Sequence, residues 1–84
     1  MNLLSNTVSL LGTLPKGTSG KLYAFDTIDP QMVDRLREMG FAEGLLIELL
    51  HQSPFGGDPI AVRVGSMTIA LRRQQANLIK VQIV

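Results

Sequence analysis

The chain has 84 residues, 45% of them apolar and 18% charged, and a net charge of +1. That length favours one domain with a modest core, and the balance is that of a folded protein rather than a disordered one. The absence of cysteine excludes a disulfide framework and a thiolate metal site; the near-zero net charge argues against a dedicated nucleic-acid binder or a polybasic membrane anchor.

No uninterrupted apolar run is long enough to span a bilayer. The start, Met1-Asn2-Leu3-Leu4-Ser5, lacks the charged opening and long apolar stretch of a signal peptide. A cytoplasmic location is therefore expected, with residues 1–84 forming a single domain and residues 1–6 frayed.

From Thr7 onward the pattern is continuous. Val8 and Leu10 alternate with smaller or polar neighbours and predict a short first strand. Leu11-Gly12-Thr13-Leu14-Pro15-Lys16-Gly17 is turn chemistry, with Leu11 and Leu14 placed to face inward across one tight turn. A strand is predicted over Ser19–Phe25; its apolar residues do not alternate cleanly, which points to a bulge or a curled strand.

A helix follows. Asp29 suits the N-cap and Pro30 the first helical position. Met32, Val33, Leu36 and Met39 form an apolar stripe read as core-facing, and Gly40 stops the helix in the left-handed region, with Phe41 packing back on Leu36. At about ten residues this helix is too short to stand alone in water and must lie on the strands.

Leu45–Leu50 is read as strand after the Glu43-Gly44 turn, although its low β-branched content leaves helix as a rival. A loop is expected over His51–Pro59. The clearest signal is Ile60-Ala61-Val62-Arg63-Val64, then Gly65-Ser66, then Met67-Thr68-Ile69-Ala70-Leu71: a hairpin on a two-residue type II′ turn, pairing Val64 with Met67, Val62 with Ile69 and Ile60 with Leu71. Its reverse face carries Ala61, Arg63, Thr68, Ala70 and Arg72. Gln74–Asn77 reads as a short 3₁₀ turn, and Ile79, Val81 and Ile83 share one side of a last strand. The expected architecture is mainly β, a small barrel of about five strands that curl to bury one apolar face each, with one capping α-helix.

The order of these turns resembles that of FeoA-type ferrous iron transport proteins. Leu11–Gly17 with Gly20-Lys21-Leu22 is similar to the family's opening. Arg35–Gly44 is similar to its helix end and glycine turn, Pro54–Ile60 to its middle loop, and Ile69–Arg73 with Ala76 and Ile79-Lys80-Val81 to its close. One departure is Glu43, where Pro is common in the family. The resemblance implies an SH3-like barrel and a role as accessory to the cytoplasmic, GTPase-containing part of the FeoB-type ferrous iron permease, reaching the membrane only through that partner. The same barrel also occurs in metal-dependent repressors of the diphtheria-toxin-repressor type.

No catalytic constellation, Walker-type phosphate loop or cofactor motif is read in the sequence, so neither an enzyme nor a bound cofactor is expected. His51 is a weak candidate metal ligand. Its bland reading is a partly exposed strand-end histidine, since a specific site needs three or four protein ligands and only Asp58 or Glu48 could join it. Phe55, between Pro54 and Gly56-Gly57, is either a lid on the barrel or an exposed anchor for a partner. Arg63, Arg72, Arg73 and Lys80 are either a solvated face or a contact for an acidic partner or for nucleic acid. The partner-binding candidates are thus Phe55, Gly56, Gly57, Arg63, Arg72 and Arg73. The rival functions are a metal-linked barrel that binds nucleic acid or a repressor, and an SH3-type peptide module, for which the aromatic supply is poor. Self-association through a sheet edge is compatible with the pattern.

Overall fold

Short alternating segments separated by glycine turns pair here into one antiparallel sheet. The computed structural model describes residues 7–83; the expected fraying of residues 1–6 lies outside them. In chain order the elements are β1 (Val8–Leu10), a 3₁₀ turn (Leu11–Thr13), β2 (Ser19–Phe25), α1 (Pro30–Met39), β3 (Leu46–Gln52), β4 (Ile60–Val64), β5 (Met67–Leu71), α2 (Arg73–Ala76) and β6 (Ile79–Ile83).

Among the described residues the sheet has six strands, in the order β1-β6-β2-β3-β4-β5. It therefore holds one strand more than the expected five or so, and its ladder stays open between β1 and β5. The fold is otherwise the mainly β, single-long-helix architecture that the pattern implies. One hydrophobic cluster joins the inward rows of the strands to Leu11, Leu14, Leu36, Phe41 and Ala76, so the 3₁₀ turn and both helices help to close the core.

The local signals act as their chemistry dictates. The Asp29 carboxylate accepts a hydrogen bond from the Gln31 N–H at 3.0 Å, capping α1. Gly40 takes φ +118°, and the Gly40 and Phe41 amides return to the Arg37 and Leu36 carbonyls at 3.0 and 3.1 Å, the Schellman pattern. The β4–β5 register is the predicted one, Val64 opposite Met67 and Ile60 opposite Leu71. Gly65 takes φ +59° and no described non-glycine residue has positive φ, as a type II′ turn requires. The expected bulge in β2 lies between Leu22 and Ala24, turning Tyr23 out to solvent.

Four boundaries or faces differ from the sequence reading. A second register shift between Leu49 and His51 lets β3 continue through His51 and Gln52, so the loop starts at Ser53. The turn expected over 74–77 is one α-helical turn at Arg73–Ala76. On α1 only Leu36 is fully buried; Met39 packs against the core, whereas Met32 and Val33 remain half-exposed because the short helix touches the sheet near its C-terminal end. Met67, at the hairpin tip, is 47% exposed, with its methyl group lying against Gly40.

Candidate docking surface

The loop after β3, residues 53–59, projects from the sheet and carries the sequence's most exposed aromatic. It is shaped by its own backbone: the Ser53 N–H donates to the Pro59 carbonyl at 3.0 Å, the Gly57 N–H to the Ser53 carbonyl at 2.9 Å, and the Phe55 N–H to the Ser53 hydroxyl at 3.1 Å. Gly56 and Gly57 both take φ +78°, a conformation that L side chains rarely adopt, so this tight reversal depends on glycine. The result leaves Phe55 86% exposed at the tip. Of the two readings open for it in sequence, lid or anchor, the structure has the exposed ring.

Arg73 ties the base of this loop to the rest of the fold. Its backbone N–H donates to Asp58 Oδ1 at 2.9 Å, its Nε to the Gly57 carbonyl at 2.7 Å and its Nη1 to the Gly12 carbonyl at 2.5 Å. Its Nη2 donates to Gln52 Oε1. One planar guanidinium thus links the 3₁₀ turn, the end of β3 and the loop. Such a fork suits arginine and not lysine.

Beside the loop lies an apolar groove of about 380 Å³, walled by Pro54, Phe55 and Pro59 and floored by Ala61 and Ala70. The floor follows from register: Ala61 of β4 faces Ala70 of β5, and His51 of β3 faces Ala61 across the second bulge. Three adjacent strands therefore present a row with two small side chains, which leaves the floor of the groove shallowly covered. A second depression, of about 230 Å³, lies farther along β3 and β4 and contains Glu48 and Arg63.

The basic residues do not gather into one cluster. Arg63 lies 3.5 Å from Glu48, and Lys80 lies 3.7 Å from Asp26 on a strand separated from β4 by β2 and β3. Arg73 is engaged in the clamp. Arg72 is exposed and has no ion-pair partner among the described residues. The carboxylates set beside His51 by the sequence reading are occupied elsewhere, Asp58 by the Arg73 N–H and Glu48 by Arg63. Among the described residues no three of His, Asp and Glu group to hold a metal.

Glu43 has a clear structural role. Its carboxylate takes two hydrogen bonds from the Arg37 guanidinium, at 2.8 and 3.0 Å, and that guanidinium lies 4.9 Å from the centre of the Phe25 ring. The bonds from Arg37 hold the Glu43 carboxyl below the ordinary carboxylate value and raise Arg37 in turn. Sequence reasoning missed this pairing because Arg37 and Glu43 lie on opposite sides of the Gly40 reversal.

The comparisons with known proteins agree with this geometry. The FeoA domain family matches residues 10–83. The chain belongs to the FeoA family. An iron uptake regulatory protein, FeoA, superposes with a TM-score of 0.81 at 23% identity, over 93% of this chain and 100% of that one. FeoA from Stenotrophomonas maltophilia, complexed with zinc and described as an SH3 domain protein, gives 0.69 at 32% identity, over 82% and 84% of the two chains. A manganese-dependent transcriptional repressor gives 0.82 at 24% identity; this FeoA chain spans 43% of its length, and the likeness is one of fold. No curated protein matches the chain. The family is associated with ferrous iron transport, and its members are small accessory domains. Among the described residues no helix is long and apolar enough to cross a membrane.

Proposed function

We propose that this FeoA chain is an accessory protein of bacterial ferrous iron uptake, acting in the cytoplasm by docking on the cytoplasmic part of a FeoB-type permease and modulating its transport or GTPase activity. The family match over residues 10–83 supports the iron-transport setting. The Stenotrophomonas maltophilia relative, suggested to act as a ferrous iron transport activating factor, supports the regulatory role.

The observation that carries the reading is Phe55. An aromatic ring 86% exposed on a loop held by glycine geometry and the Arg73 clamp is a preorganised anchor, which lowers the ordering cost of association. The chain alters its partner's cycle only through unequal affinity for the partner's conformations. Calorimetric titration of the permease's cytoplasmic part with wild-type chain and with Phe55→Ser tests this. Binding by the wild type, weakened about tenfold in the variant, is expected. Absence of binding by the wild type, with iron uptake unchanged when the protein is deleted, would sink the proposal.

A further inference from the structure

The docking face has a charge as well as a shape. Arg72 continues β5 with extended backbone, φ −74° and ψ 149°, so its side chain falls on the same side as Ala70. Arg63 lies two residues beyond Ala61 on β4 and sits opposite Thr68. The two arginines therefore bracket the alanine floor, separated by about 13 Å along the strands. Phe55 walls the groove on the loop side. Two carboxylates lie near this face: Glu48, 3.5 Å from Arg63, and Asp58, which accepts from the Arg73 N–H. Arg72 is left without an ion-pair partner among the described residues.

We propose that this groove receives an acidic segment of the partner that carries a bulky apolar side chain. The apolar side chain fills the space between Phe55 and the two alanines, and the flanking carboxylates pair with Arg72 and, in exchange for Glu48, with Arg63. Small floor residues admit the chain closely; cations at both ends fix its register and reject a basic segment. This inference rests on the docking reading above and specifies the chemistry of its contact.

The test pairs two probes. The permease's cytoplasmic part is titrated with wild-type chain, Ala70→Glu, Arg72→Glu and the control Lys21→Glu, which makes the same charge change as Arg72→Glu but on β2, three strands away from β5. About tenfold weaker binding for the first two variants, near-wild-type binding for the control, and weakening by added salt are expected. If the permease part binds all four alike, the groove assignment is overturned while docking stands.

If the permease part does not bind, docking fails and a second probe decides the groove. A short peptide alternating Glu and Leu is added to the isotope-labelled chain, and its counterpart with Lys for Glu serves as control. Amide shifts confined to Phe55, Ala61, Ala70 and Arg72, seen only with the acidic peptide, uphold the inference. No shifts, equal shifts with both peptides, or displacement of the acidic peptide by an oligonucleotide would overturn it.

Discussion

At the scale of single residues, two glycines and one arginine set the fold's tolerances. A Cβ on Gly20 would lie 2.3 Å from the Gln82 carbonyl oxygen, a backbone atom of β6 that has no means of moving aside alone. Gly20→Ala should therefore destabilise the chain by about 2–3 kcal/mol, measured by urea unfolding. Gly12 is similarly closed, by the Asn77 amide at 2.2 Å and the Arg73 carbonyl at 2.8 Å. Arg73→Lys keeps the charge and loses the fork; the chain should fold, with faster amide exchange at Gly57 and Asp58 and a stability loss of about 1–3 kcal/mol. Phe55→Ser touches nothing in the core and should leave stability within about 0.5 kcal/mol of wild type. These roles were unequally legible. Turn glycines such as Gly40 and Gly65 announce themselves by their neighbours. Gly20 and Arg73 do not, because what confines them comes from distant sequence; Gly12 and Arg73 are 61 residues apart.

At the scale of elements, the hairpin and α1 were readable because their determinants are local. Alternation fixes the β4–β5 faces, Gly65 fixes the turn, and Asp29 with Gly40 fixes both ends of the helix. The bulge between Leu49 and His51 was not readable, since nothing in a run of leucines marks where the register shifts; this is why His51 and Gln52 belong to β3. The candidate groove inherits that difficulty: its alanine floor was visible as a pattern, but its wall depends on the loop. The Arg37–Glu43 pair pins the helix end to the following turn and is pH-sensitive in a definite direction. Glu43 has a lower pKa in the fold than in the unfolded chain, where its ordinary value is 4.5. Its contribution is thus full above that ordinary value and disappears as pH falls through the lowered one. Unfolding curves of wild type and Glu43→Gln should accordingly differ at neutral pH and converge in strong acid.

At the scale of the whole molecule, the mainly β class and single core follow from amphipathic strands that must curl over their apolar faces. The strand order does not, because it depends on pairings between the ends of the sequence. β6 lies between β1 and β2, with Val8 opposite Gln82 and Leu22 opposite Val81. Ile79 and Val81 are fully buried there. A chain stopped after Leu78 should lack cooperative thermal unfolding by circular dichroism, since two strands lose their shared neighbour and the core loses that pair of side chains.

The seating of β6 also orders events during translation. Among the described residues β1 forms its ladder with β6, so the strand synthesised first waits for the strand synthesised last of the six. At ribosomal speeds of about 5–20 residues per second, that wait lasts several seconds. The N-terminal strand therefore takes its place only after β6 has cleared the exit tunnel.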